Sequence, residues 1–189
     1  MRLWQQGWVK RNLRVRGFKK NEDGATAIEF AMVSFPFFIL IFMLIRFALY
    51  VFVLNSLHKG MNQTSRLVRT GQAQKANMTV NDFKNNICNS AGGWIKCNMV
   101  QVFVQKYPDW QSVVPQPCLN VDGSVVTNNA SGTDKIAQYS GTASDIVIVT
   151  TCYKWEFAQK IPFVKLGNMS DKSMMMQAST AFRTEPYAN

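Results

Sequence analysis

Histidine is almost missing from this chain: His58 is the only one among 189 residues. Catalytic triads and most zinc sites draw on imidazole, and a lone His58 beside no second histidine and no nearby cysteine supplies neither. Acidic residues are scarce too, 11 against 21 basic, so the formal charge is +10. There is no glycine-rich phosphate loop, no metal-ligand spacing, no internal repeat and no low-complexity tract. Carboxylates such as Asp145 and Glu156 are ordinary strand-surface residues in this reading. Without a catalytic set the chain is expected not to be an enzyme, and no cofactor or metal is implied. Met174, Met175 and Met176 form the one thioether run, but consecutive residues of a strand point to opposite faces. They suit a core or a subunit contact better than copper.

What the chain has is unevenly placed. Residues 1–24 hold seven basic side chains (Arg2, Lys10, Arg11, Arg14, Arg16, Lys19, Lys20) against Glu22 and Asp23, half of the net charge. Residues 30–45, FAMVSFPFFILIFMLI, carry no charge at all; Arg46 interrupts, and FALYVFVL continues to Leu54. About 20 apolar residues cross a hydrocarbon core as a helix, so residues 30–54 are long enough for a membrane span. A core helix of a soluble protein is the alternative, but a run apolar on every face leaves no stripe for water. A cleaved secretory signal fits poorly, because the run is too long and no small-residue cleavage site follows it. Basic residues before the span and few after it put residues 1–24 in the cytoplasm and the rest outside it. The seven charges beside the span suit topology and anionic headgroups, and no nucleic-acid-reading motif accompanies them.

NEDGATAIEF, residues 21–30, joins the basic arm to the apolar run. Gly24 lacks a side chain and resists joining a helix, which suits a backbone open to a peptidase. Glu29 stands where a charge is costly, on the order of 3 kcal/mol at a bilayer centre and less near the rim. Gly24, Ala25, Glu29 and Phe30 resemble, position by position, a type IV prepilin processing site. The longer stretch RGFKKNEDGATAIEFAMVSFPFFILIF is similar to the start of TadE-like pseudopilins of the Tad (Flp) pilus system. RLVRTGQAQ (66–74) and AFRTEPY (181–187) also resemble members of that family. The resemblance implies cutting between Gly24 and Ala25 by a prepilin peptidase on the cytoplasmic side. It implies a minor pseudopilin in the bacterial inner membrane, single-pass, with its C-terminal domain in the periplasm. The partners implied are other pseudopilins, the major pilin, the inner-membrane platform with its cytoplasmic ATPase, and membrane lipid; surface adhesion is the implied purpose. Glu29 then meets the new α-amino group of a neighbouring subunit, and Phe30 belongs to the same assembly segment. Residue by residue, plainer readings stand beside these. Gly24 can be a simple helix stop, and Thr26 to Glu29 fits a capping box. Arg46 departs from the acidic residue that the family often carries there; it can snorkel to the outer interface or pair with a partner's acid. Pro36 is expected to bend the helix. An uncut single-pass periplasmic protein, enzyme or adhesin, is the rival for the whole chain.

Beyond Leu54 the pattern becomes amphipathic. Leu57, Met61, Thr64, Leu67 and Val68 recur at helical steps, and Gly71 offers a stop. One helix over 25–70 is expected, its first half in lipid and its second half packed on an α+β domain over 71–189. Its elements are a short helix over 78–88 with Thr79 as N-cap, strands over 99–106, 145–157 and 173–183, and loops over 108–144 with a short strand at 124–127. The fold expected is a long pilin-like transmembrane helix continuing into a small periplasmic domain with an antiparallel sheet of three or four strands. All four cysteines follow the apolar run, in an oxidising compartment if the orientation holds, where two disulfides are the default over free buried thiols. The short loop between Cys88 and Cys97 suggests that pair, which leaves Cys118 for Cys152 by elimination.

Overall fold

A computed structural model describes residues 24–128, 130–142, 144–160 and 167–186. The basic leader, residues 1–23, and Tyr187 lie outside them. The elements run α1 (Ala25–Arg69), α2 (Gln72–Lys75), α3 (Val80–Ala91), β1 (Val100–Tyr107), α4 (Ala137–Ser140), β2 (Ile146–Trp155) and β3 (Met174–Arg183), with 3-10 turns at Cys97–Met99 and Glu156–Lys160. The fold is thus α+β: a long apolar N-terminal helix followed by a three-stranded antiparallel sheet.

The chain divides into two compact units, Met1–Phe47 and Ala48–Asn189. The sequence pattern puts the domain boundary at 70–71. The second half of α1 groups with the sheet, because that half supplies part of the domain's core. In the first unit α1 runs on through Pro36. Proline has no N–H, so the carbonyl of Met32 lacks its usual intrahelical donor. No described residue before Val53 is buried.

In the second unit α1 buries Val53, Leu57, Gly60, Met61, Thr64, Ser65 and Val68, one face of a 3.6-residue period. Leu57, Met61 and Val68 are fully enclosed, with Phe83 and Ile87 of α3 in the same core. Each side chain of this size contributes about 1.5–3 kcal/mol on burial. Gly60 is where α1 meets α3. A Cβ built there would stand 2.9 Å from the Ala91 Cβ and 3.0 Å from its backbone nitrogen, and nearer still to the Ile87 carbonyl oxygen. Only glycine allows this approach. Gly71, at φ 74, then turns the chain out of α1. The N-cap expected at Thr79 is formed, and it is one half of a capping box: its hydroxyl accepts from the Asp82 amide, and the Asp82 carboxylate accepts from the Thr79 amide. The helix it starts continues past the expected end at Cys88 to Ala91.

The sheet order is β1-β2-β3. Registers run from Val100 opposite Tyr153 to Tyr107 opposite Ile146, and from Ile146 opposite Arg183 to Trp155 opposite Met174. One face, with Val100, Val102, Val104, Val147, Val149, Tyr153, Met176 and Ala178, lies in the main core with the helices. The other carries Phe103, Cys152 and Met175, covered by Cys118, Leu119, Val125 and Val126. Met175 and Met176 therefore serve opposite cores, as strand alternation requires.

Asparagine side chains occupy part of both sheet edges. Asn128 donates to the Val102 carbonyl at 2.6 Å. The Asn168 carboxamide donates to the Met175 carbonyl at 3.2 Å and accepts from its amide at 2.7 Å. Each removes edge groups that would otherwise pair with another strand. The strand expected at 124–127 is only an isolated bridge, Leu119 to Val125. Asp122 accepts from the Ser124 amide at 2.9 Å, which holds a turn where a strand would have to run straight.

Candidate functional site

The residues singled out for processing and assembly lie together at the start of α1. Gly24 forms the 3-10 turn that precedes the helix, and Ala25 opens the helix. Among the described residues a Cβ at Gly24 would meet nothing within 4 Å. Packing therefore gives no reason for glycine here, unlike at Gly60. Ala25 and Glu29 are exposed, as is Phe30 at 73%. Glu29 lies one helical turn beyond Ala25. The first turn of α1 contains no acidic residue, and Thr26 lies within the helix rather than at its cap. Among the described residues Glu29 has no ion-pair partner.

Around this segment the helix surface is almost wholly apolar. Met32, Val33, Phe35, Phe37, Phe38 and Phe42 each expose more than half of their surface. Water would penalise that display by roughly 25 cal/mol for each Å². Arg46 is the one cation in the stretch, half-buried, its Nε buried without a hydrogen-bond partner among the described residues. Among those residues α1 is the one helix long and apolar enough to cross a membrane.

In the domain the cysteines pair as Cys88–Cys97 and Cys118–Cys152, with Cα separations of 5.7 Å in both. The first ties the last turns of α3 to the turn before β1. The second ties the covering loop to the middle strand. No cysteine is free.

A tie that spacing alone does not reveal joins two of the segments singled out above, 66–74 and 181–187. The Glu185 amide donates to the Arg69 carbonyl at 2.8 Å, and Arg69 Nε stands 3.3 Å from Glu185 Oε1. Beside them Thr184 donates its hydroxyl to Thr142 O at 2.8 Å, and Gln74 donates to Ser140 Oγ at 3.0 Å. The end of α1 and the end of β3 are thus pinned together. The only sequence signal was that both segments attract notice.

Shifted carboxylates sit in turns and pairs rather than in a cleft. Hydrogen bonds from Thr79, Ser124 and Tyr139 hold Asp82, Asp122 and Asp134 below the usual carboxylate range. Lys154, 2.6 Å away, holds Asp171 well below it, with help from Ser173. A cleft of about 160 Å³ runs along β1 between Val102, Val104, Asn128 and Tyr139. Among the described residues no carboxylate, imidazole or amine lines it. Among the described residues no group of histidine, cysteine, aspartate and glutamate could hold a metal ion.

An exposed, apolar, spanning-length helix joined to a disulfide-bonded α+β domain defines the class: the helix fits a single-pass membrane protein. Residues 24–66 match the model of the TadE-like protein family. The match begins on Gly24, covers Glu29 and the whole apolar run, and is consistent with a TadE-like protein of the Tad pilus system. It leaves α3 and the sheet outside. No curated protein and no solved structure matches the chain.

Proposed function

We propose that this chain is a minor pseudopilin, a non-enzymatic subunit cut between Gly24 and Ala25 and used in assembling a Tad pilus. The observation that carries the reading is the conjunction at the start of α1. Among the described residues an unhindered glycine precedes the helix, a carboxylate without an ion-pair partner follows one turn later, and an unburied apolar helix comes next. Cutting leaves an α-amino group on Ala25. In lipid the lone Glu29 is disfavoured. Set beside a neighbour's amine at ~4 Å, with an effective dielectric constant of ~20, it gains roughly 4 kcal/mol before desolvation. A pair available only between subunits fixes their register and favours leaving the bilayer for the assembly. The N-terminus faces the cytoplasm and the disulfide-bonded domain the periplasm, the arrangement that the basic leader and the cysteine pairs both favour. The partners are the prepilin peptidase, other pseudopilins, the major pilin and the inner-membrane platform.

Mass spectrometry of the protein from piliated cells tests this. The expected N-terminus is Ala25, reverting to the full leader in a peptidase-null strain or on Gly24→Leu. A leader retained in piliated cells sinks the reading in favour of an uncut single-pass protein. Glu29→Ala should be cut normally yet fail to support piliation; normal piliation would remove the intersubunit role.

A further inference from the structure

The domain carries an aromatic cluster in which Phe52, Trp94 and Phe157 are exposed, while Tyr50 and Trp155 are half-buried against the main core. Three segments distant in sequence build it. Phe52 of α1, 48% exposed, meets Trp94 edge-to-face at a centroid distance of 5.8 Å, and Trp94 is itself 71% exposed. Tyr50 stands 6.4 Å from Trp155 at the end of β2, and Trp155 stands 5.8 Å from Phe157, which is 46% exposed. Trp94 sits within the loop closed by the Cys88–Cys97 bridge, so its position is held and its ring displayed. Lys96 and Glu156 form an exposed ion pair at 3.3 Å next to the rings.

We propose that this cluster is a collar for the interfacial zone of the bilayer, taking the glycerol and headgroup region of phospholipids. The inference rests on the reading of α1 as a membrane span. Counted from Phe30, the ~20 residues that fill a hydrocarbon core end at Leu49. Tyr50 and Phe52 are in the next turn, and each leads to domain rings at this level, Phe52 to Trp94 and Tyr50 to Trp155 and Phe157. Tryptophan and tyrosine favour this depth because their rings are apolar and their N–H and O–H groups still reach water. An exposed ring costs solvation in water and loses that cost in the interface. Lys96 can exchange its carboxylate for a lipid phosphate. The collar fixes how deep α1 sits before a subunit is withdrawn from the membrane, and it holds the domain close to the surface until then.

The test uses the full chain in phosphatidylethanolamine and phosphatidylglycerol vesicles carrying a nitroxide either at the headgroup or in mid-chain. Trp94 emission is obtained as the difference between wild type and Trp94→Phe, a change at an exposed ring that leaves the core intact. The expected result is quenching of that component at least about twofold stronger by the headgroup label than by the mid-chain label, with little effect of aqueous iodide. Quenching by iodide alone, or by nothing because another protein surface covers the ring, overturns the collar. A Phe42→Trp variant reports the span separately. If the mid-chain label quenches it while Trp94 escapes lipid, only the collar falls; if it too escapes, the spanning reading fails with it.

Discussion

From Ala25 to Phe52 helix α1 buries no residue, and from Val53 to Val68 it buries seven. Backbone geometry is the same in both stretches, so the difference lies in the pattern of side chains. In the first, phenylalanine, leucine and isoleucine point in every direction, which leaves no polar side to face water. In the second, Asn55, Lys59, Asn62, Gln63 and Arg66 alternate with the buried residues and give the helix an outside. Total apolar content says little about where a helix belongs; the angular distribution of that content decides. The same residue type accordingly does different work in the two stretches. Gly60 permits a helix crossing, while Gly24 borders nothing.

The sharpest way to break this contrast is a pair of identical truncations. Leu57 is fully buried and Leu44 is 60% exposed. Leu57→Ala should destabilise the domain by about 2–5 kcal/mol, and Leu44→Ala should leave it unchanged. Urea unfolding of the full chain in detergent, followed by tryptophan fluorescence, measures both. Equal losses would mean that both halves of α1 belong to one packed core. A second pair uses the glycines. Gly60→Ala forces its new methyl against Ile87 and Ala91, and should cost about 1–3 kcal/mol by overpacking. Gly24→Ala should not move the domain's unfolding midpoint at all, whatever it does to processing.

Much of this could be read before any coordinates. The helix over 25–70, the strands around Val102, Val149 and Ala178, and the cap at Thr79 all rest on local signals: a period of 3.6, a period of 2, and a threonine three residues before an acid. The cysteine pairing was legible because the short loop between Cys88 and Cys97 favours that bridge, which leaves Cys118 and Cys152 for each other. What escaped depends on contacts between distant segments. The 124–127 stretch has strand-forming valines, but the bridge from Cys118 and the Asp122 turn hold it as a cover over Phe103 and Met175. Strand β2 stops at Trp155, short of the expected Phe157, because Glu156–Lys160 winds into a 3-10 turn. At the candidate site, the residues Gly24 and Glu29 stand out from sequence, whereas the bond between Arg69 and Glu185 needed the fold.

A smaller effect should come from the cap of α3, the helix against which Gly60 packs. Thr79→Ala removes the hydroxyl that accepts from the Asp82 amide at 3.1 Å. The expected loss is about 1 kcal/mol, read from the same urea midpoint. Thr79→Ser keeps the acceptor and should recover most of it. A cap loss that leaves the midpoint unmoved would show that α3 is held by its buried face alone.

The smallest effect concerns acid. Lys154 and then Ser173 hold the Asp171 carboxyl below its ordinary value, near 4 in an unfolded chain. A group with a depressed folded pKa stabilises the fold above the unfolded value, and that contribution is lost as pH falls from about 4 toward the folded value. Asp171 and Lys154 are 40% and 29% exposed, so water screens the pair and its contribution stays within about 1 kcal/mol. Asp171→Asn should therefore lower the urea midpoint slightly at neutral pH and flatten its decline between about pH 5 and 3. Asp82, Asp122 and Asp134, also depressed, would keep the remaining slope. An unchanged acid slope in Asp171→Asn would assign the sensitivity to those three turns. Because all four carboxylates lie in the second unit, amide exchange in α1 residues 25–47, corrected for its intrinsic pH dependence, should hold steady across the range in which the sheet weakens.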